Sequence, residues 1–333
     1  MTAQNLTPYA DLTPDLILDA IESTGRCTGG SLIALNSYEN RVYQVSIEGC
    51  APIIAKFYRP GRWTDEAIRE EHAFVCDLAQ HEIPVVAPLA NDSGETLLSY
   101  ASHRFALFPC RGGRWPDLDN LDNMLRLGRT IGRIHAVGAV RPFVYRPDLT
   151  MTNFGAEALV FLLEHSFPPT HLALRYQQTA EQVLTGVASA YRRAGEHQNI
   201  RIHGDCHPGN ILWADHGPNF VDFDDCRMGP AIQDLWMFLS GNRFERTRTL
   251  SELLAGYEEF HPFVPREIHL VEALRSLRMI HYSAWIARRW NDPAFPNNFP
   301  WFGTDTYWEQ QILALEEQVQ LLEEPPLQVY GWI

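Results

Sequence analysis

The stretch that most constrains this chain runs from Ile202 to Asp224. It begins Ile202-His203-Gly204-Asp205-Cys206-His207-Pro208-Gly209-Asn210-Ile211-Leu212-Trp213. The turn Asp215-His216-Gly217-Pro218 follows, and then Phe220-Val221-Asp222-Phe223-Asp224. An apolar strand, a polar loop, a second strand, a turn and a third strand hold Asp205, Asn210 and Asp222 on short rigid pieces that can converge at one spot. Asp, Asn, Pro and Gly are also ordinary turn residues. Asp205 or Asn210 alone therefore says little, and the joint pattern says much more.

Phosphoryl transfer needs this set of groups. A carboxylate must orient the attacking hydroxyl and accept its proton, and oxygen ligands must hold Mg²⁺ against the phosphates of ATP. Asp205 and Asn210 supply one base and one metal ligand from a single loop, and Asp222 supplies a second ligand from a strand end. The spacing from Asp205 to Asn210 is that of the kinase signature H-R-D-L-x-x-x-N, here beginning His-Gly-Asp. Asp222 takes the place of the aspartate in D-F-G, although the residues here are Asp-Phe-Asp. His203 and His207 sit four apart on a Pro-Gly loop rather than on a helix face. That placement suits hydrogen-bond bracing better than zinc.

Composition narrows the partners. With 27 basic and 41 acidic residues the net charge is −14, which repels nucleic acid and anionic membrane surfaces. The hydrophobic share of 45% fills a sizeable core, and 333 residues suit about two domains. No apolar run is long enough to span a bilayer. Residues 1–15 carry neither Lys nor Arg, so no secretory signal is expected. The six cysteines form no Cys-x-x-Cys pair and read as reduced thiols in a cytoplasmic protein.

The first third reads as strands at 31–35, 41–47, 53–58, 96–99 and 104–108, with one helix over 65–81 capped by Thr64. The lobe boundary is expected at 109/110, giving a nucleotide-binding lobe over 1–109 and a catalytic and substrate lobe over 110–333. Beyond it the periodicity predicts helices over 121–137, 171–194, 231–241, 247–260, 266–290 and 304–323, with 138–170 irregular. Gly128 and Gly132 leave a smooth helix surface for another backbone.

Lys56 is a charge inside an apolar strand, expensive unless paired. In kinases such a lysine holds the α- and β-phosphates and pairs with a helix glutamate. Glu66, Glu70 and Glu71 are the choices, and Glu70 and Glu71 point about 100° apart. The loop Asn36–Asn40 lacks the glycines of kinase phosphate loops, so the Ser37 hydroxyl and nearby amides would have to replace them.

His-Gly-Asp-x-His-Pro-Gly-Asn-Ile-Leu resembles the catalytic loop of the aminoglycoside phosphotransferase and choline kinase superfamily, relatives of protein kinases. Leu127-Gly128-Arg129-Thr130-Ile131-Gly132-Arg133-Ile134-His135 resembles the helix before that loop. Residues 35–44, Lys56-Phe57-Tyr58-Arg59-Pro60 and Arg288-Arg289-Trp290-x-Asp292-Pro293 resemble the bacterial stress response kinase A family.

The resemblance implies an α+β, bilobal protein kinase-like fold with a small antiparallel-sheet N-lobe and a larger helical C-lobe. It further implies ATP and Mg²⁺, transfer to Ser or Thr of proteins with autophosphorylation, and a cytoplasmic location; a monomer is expected. Carried over by motif, Asp205 is the proton acceptor, Asn210 and Asp222 hold Mg²⁺, and Ser37 faces the phosphates. Aligning Leu78-Ala79 with the family's helix favours Glu71 as partner of Lys56, and Asp234 becomes a brace for the catalytic loop.

A small-molecule hydroxyl kinase and a nucleotide-binding pseudokinase are the alternatives. The intact set Lys56, Asp205, Asn210 and Asp222 speaks against the latter. Two features stand apart from the motif. Arg275, Arg278, Tyr282, Trp285 and Arg289 share one helix face, which suits an acidic or phosphorylated substrate segment or else an ion-paired packing surface. The position before Asp205 is Gly204, and residues 223–230 contain no Ser, Thr or Tyr, so an activating phospho-switch there has neither hydroxyl nor arginine partner.

Overall fold

The structure, a computed structural model, describes residues 8–329. By its contacts the chain forms two compact units. One comprises the residues up to Pro116 together with Gly209–Asp224, and the other Asp117–Pro208 together with the residues from Asp225 on. The expected partition, 1–109 and 110–333, lacks this excursion of residues 209–224.

The first unit opens with α1 (Pro14–Glu22), capped by Thr13, whose side chain accepts from the Leu16 amide. Strands β1 (Thr28–Ala34), β2 (Arg41–Ile47) and β3 (Ile53–Phe57) precede α2 (Asp65–Gln80), and β4 (Leu98–Tyr100) and β5 (His103–Pro109) follow it. They form one antiparallel sheet in the order β1-β2-β3-β5-β4. Side chains alternate across a strand, so Ala55 and Phe57 of β3 pack with Phe105 and Leu107 against Ile17 and Ile21 of α1. Tyr58 packs with Ala106 and Ile68 of α2. Lys56, between Ala55 and Phe57, therefore projects to the α2 side. Thr64 caps α2 as expected, its hydroxyl accepting from the Ala67 amide at 3.2 Å.

The second unit begins with α3 (Leu121–Gly138), α4 (Glu157–Glu164), α5 (Thr170–Ala194) and β6 (Ile200–Ile202). The chain then contributes β7 (Ile211–Ala214) and β8 (Gly217–Phe220) to the first unit as a hairpin. Single bridges tie that hairpin to Val85 and Arg114. Back in the second unit, β9 (Arg227–Gly229) pairs antiparallel with β6. Helices α6 (Arg243–Tyr257), α7 (Val271–Ala287), α8 (Ala294–Asn298) and α9 (Asp305–Leu321) complete it. No helix among the described residues is long and apolar enough to cross a membrane.

The α+β class stands, with three local departures from the sequence reading. Residues 231–241 are not one helix but two 3₁₀ turns, Ala231–Asp234 and Trp236–Phe238; the Glu267 carboxylate takes the Ile232 amide, and the Asp234 side chain is turned to the His203 and Gly204 amides. The stretch over 266–290 opens as a 3₁₀ segment, Pro265–Leu270, before α7. The region 138–170 contains a π-helical turn, Thr152–Ala156, and α4.

The packing of α3 on α6 depends on close backbone approach. A Cβ added at Gly128 would lie 1.9 Å from the Leu253 carbonyl oxygen, which is backbone and cannot turn aside. Gly128→Ala is expected to cost at least about 3 kcal/mol, beyond the usual overpacking range. Urea denaturation checks this, and an unchanged midpoint would mean that the two helices separate at little cost.

Candidate active site

In the first unit a buried charge cluster surrounds Lys56. The lysine is 5% exposed. Its ammonium lies 3.0 Å from Asp222 Oδ1, 3.3 Å from Asp224 Oδ1 and 3.7 Å from Glu71 Oε1. Burial alone would push Lys56 down, but Asp222, Asp224 and Glu71 outweigh it and hold the ammonium well above the usual lysine range. Of the three candidate glutamates, Glu71 turns inward and is 2% exposed.

Asp222 differs from its neighbours. Its backbone is left-handed, with φ of 58°, an uncommon conformation for a residue with a Cβ. Its side chain is half exposed, whereas that of Asp224 is buried. The Val221 amide donates to the Asn210 carbonyl at 3.0 Å, so the open end of the β7–β8 hairpin sets Asn210 beside the residue before Asp222. The hairpin thus offers an amide oxygen and an accessible carboxylate, hard donors of the kind that magnesium and calcium take.

Three neighbours were not singled out in the sequence. Arg62 is ion-paired to Asp224 and lies 3.8 Å from Glu39, while Arg59 lies 3.7 Å from the same buried Glu39. Glu39 and Asn40 end the loop that follows β1, and the Asn40 side chain accepts from the Arg59 amide at 3.1 Å. Ser37 donates to the Asn40 carbonyl at 3.2 Å, which ties the loop to itself without glycine. The signal in the sequence was charge at strand ends, Arg59 just after the apolar run of β3 and Glu39 just before β2. The partner Asp224 lies too far along the chain for spacing to reveal it.

In the second unit the loop after β6 is fixed from beneath. Asp234 accepts from the His203 amide at 2.6 Å and from the Gly204 amide at 2.9 Å. His135 of α3 holds the same carboxylate at 3.0 Å and is itself held by the Tyr257 hydroxyl at 3.0 Å. Gly204 has φ of 83°, and a Cβ there would lie 2.2 Å from the Asp225 carbonyl oxygen. An arginine at this position is therefore excluded sterically. His203 is fully buried, and its Nδ1 lies 3.4 Å from the Asp205 amide.

Asp205 is gripped from two sides. Arg278 Nη1 donates to Oδ1 at 2.5 Å, and His207 Nε2 lies 3.4 Å from Oδ2. Burial raises the carboxyl, but the His207 hydrogen bond and the Arg278 charge more than offset it and bring it down to about 2. Cys206 next to it is buried, which pushes its thiol well up and leaves it a poor nucleophile. Arg278 is the partner that the sequence could not supply. Its helix face was visible, but not what the face meets.

A small antiparallel sheet packed against α1 and α2, a helical second unit and a braced His-Gly-Asp loop define a phosphotransferase of the kinase-like type. Residues 31–271 match the phosphotransferase enzyme family. Stress response kinase A of Salmonella paratyphi A is 44% identical over 325 residues, covering 98% of each chain. Serine/threonine protein kinase RdoA of Salmonella typhimurium is 43% identical over 325 residues, again covering 98% of each. Among solved structures, amicoumacin kinase hAmiN in complex with AMP-PNP, Ca²⁺ and Ami has a TM-score of 0.70 at 17% identity, covering 90% of each chain. The chain belongs to the phosphotransferase enzyme family and, within it, to the stress response kinase A family. It is a kinase.

The clamp on Asp205 has a measurable consequence. With its folded-state pKa depressed, the carboxylate stabilises the fold fully above about pH 4, and this is lost as pH falls toward 2. His207→Ala removes the larger of the two lowering influences, so the Asp205 carboxyl should titrate at higher pH than in the wild type. Carbon-detected NMR across pH 2–6 reads it directly, and an unmoved titration would mean that His207 does not hold Asp205.

Proposed function

We propose that this kinase transfers the γ-phosphoryl group of ATP to Ser and Thr hydroxyls of proteins, its own chain included, in a cytoplasmic stress response. The observation that carries this is the near full-length 43% identity to a protein named a serine/threonine protein kinase. The amicoumacin kinase, solved with an ATP analogue and Ca²⁺, supports a nucleotide and a divalent cation. Residues 1–109 would form the nucleotide lobe and 110–333 the catalytic and substrate lobe.

The roles follow from the chemistry of each group. Lys56, kept charged by three carboxylates, binds the phosphates, with Glu71 holding it in line. The Ser37 loop faces the same phosphates. Asn210 and Asp222 would hold Mg²⁺, which fits their oxygen donors and the open carboxylate of Asp222. The metal, when bound, neutralises charge that develops on the transferring group. Asp205 accepts a hydrogen bond from the acceptor hydroxyl and aims its oxygen in line. With a pKa of about 2, Asp205 is a weak base. Its main work is therefore orientation, and it takes the proton late, when bond formation has made the hydroxyl acidic.

The second reading is a small-molecule hydroxyl acceptor, a class to which the name of the amicoumacin kinase points. At 17% identity that likeness concerns the fold alone.

Asp205→Asn should keep the fold and ATP binding and lower turnover roughly 10²–10⁴-fold. Wild-type turnover in that variant would remove Asp205 from the chemistry. Asp222→Ala should abolish divalent-dependent activity, because Asn210 alone is a neutral ligand, and a Mg²⁺ titration reads this. Labelled ATP incubated with the protein, alone and with a generic protein acceptor, separates the readings. Label on protein supports the first, and label only on a small hydroxyl compound supports the second. Since Gly204 leaves no arginine for an activation-loop phosphate, phosphatase-treated enzyme should start without a lag.

A further inference from the structure

The acceptor side of Asp205 carries positive charge in a protein whose net charge is −14. Within the second unit, α7 presents Arg278, Tyr282 and Trp285 along one face. The Tyr282 and Trp285 rings are stacked, with centroids 5.8 Å apart and planes 13° apart. Arg289 covers the Trp285 ring at 5.1 Å. Arg278 meets Asp205 through Nη1 at 2.5 Å, and its side chain is 37% exposed. A guanidinium carries five donors in a planar fork, so this one contact leaves Arg278 able to take a second anion.

The surroundings reinforce the sign. His281, one turn along α7 from Arg278, stacks on Phe154 at 4.0 Å. Burial and the charges of Arg227, Arg288 and Arg278 push its imidazole down to about 3, with Asp225 acting in the opposite direction. A histidine so placed, buried and held neutral, adds no charge of its own to this face. Arg227 is committed to Asp225 at 2.7 Å, and Arg275 to Glu272 at 3.1 Å. That leaves Arg278 as the arginine of this face that is both solvent-accessible and in contact with Asp205. A cationic acceptor brought to Asp205 would meet the Arg278 charge at close range, whereas an anionic one would be drawn to it.

We propose that Arg278, flanked by the stacked Tyr282 and Trp285, is an acceptor subsite for an anionic group next to the hydroxyl that is phosphorylated. The preferred substrate is then a Ser or Thr beside a residue bearing a carboxylate or a phosphate. This rests on the reading of Asp205 as the group that orients the hydroxyl, and it names the acceptor's charge, which that reading leaves open. Arg278 acts as a specificity residue toward the acceptor and a positioning residue toward Asp205.

The test compares matched acceptors. Three serine peptides of one sequence differ only in the flanking residue, which is glutamate, phosphoserine or lysine. A pair of three-carbon alcohols, 3-hydroxypropanoate and 3-aminopropan-1-ol, repeats the comparison without a peptide. Initial rates give kcat/KM for wild type, Arg278→Ala and Arg278→Lys, with ATP affinity and thermal midpoint measured on each.

Wild type should favour the glutamate and phosphoserine peptides over the lysine peptide by about tenfold or more, a ratio equal to about 1.4 kcal/mol. Which of the two is faster tells whether the flanking anion is a carboxylate or a phosphate. Arg278→Ala should bring the ratio near one with ATP affinity unchanged, and Arg278→Lys should restore part of it. A ratio near one or favouring lysine in the wild type overturns the proposal, as does a ratio that Arg278→Ala leaves unmoved. If only the alcohols are labelled, the protein-acceptor reading fails, and preference for the anionic alcohol still upholds the subsite while preference for the amine ends it. Transfer to none of the five acceptors by enzyme that binds ATP overturns the subsite as well.

Discussion

The first unit is organised around one expensive act, the burial of the Lys56 ammonium in the middle of a sheet. A buried cation without partners costs several kcal/mol, so its surroundings are tightly prescribed. Glu71 must come from α2, which sets the rotation of that helix on the sheet. Asp222 and Asp224 must come from the end of the β7–β8 hairpin, which sets where that hairpin docks. Arg62 then balances Asp224, and Glu39 balances Arg62 and Arg59. Each charge is tolerable because the next one is there. Loss of one partner is felt along the whole chain of pairs, since it leaves a buried charge behind.

The second unit has a quieter equivalent. Asp234 spends both carboxylate oxygens on the backbone of His203 and Gly204, and His135 and Tyr257 keep it in place. Side chains far apart in sequence thus set the backbone of a loop, and the loop sets Asp205. The clamp of Arg278 and His207 above and the Asp234 brace below leave the carboxylate little freedom to turn. For the orienting role proposed for Asp205 that loss of freedom is a gain, because the ordering would be complete before any substrate arrives.

Much of this was legible in the sequence because the residues involved are close in the chain or break a pattern. Asp205, Asn210 and Asp222 lie within one strand-loop-strand segment, so spacing alone pointed to them. Lys56 betrayed itself as a charge in an apolar run. Glu71 over Glu70 needed helix geometry together with family likeness, because a sequence does not say which way a helix is turned. The pairs that stayed hidden join distant segments, Arg62 with Asp224 and Arg278 with Asp205, and no local rule brings them together. Residues 231–241 misled because their apolar spacing is helical, while Glu267 captures the Ile232 amide, the Asp234 carboxylate reaches out to the His203 and Gly204 amides, and the backbone between runs as 3₁₀ turns. The short α4 was obscured by the prolines around it.

The excursion of Gly209–Asp224 into the first unit bears on how the chain is made. On a ribosome the first 116 residues emerge without the hairpin that supplies Asp222 and Asp224. Lys56 then has Glu71 as its partner from that cluster until a further hundred or so residues have been added, roughly 5–20 s at ordinary elongation rates. For that interval the sheet carries a cation short of its counter-charges, and the segment that will join Val85 and Arg114 is still unmade. The nascent amino-terminal part is thus an unfinished unit, and its completion is timed by the synthesis of the second.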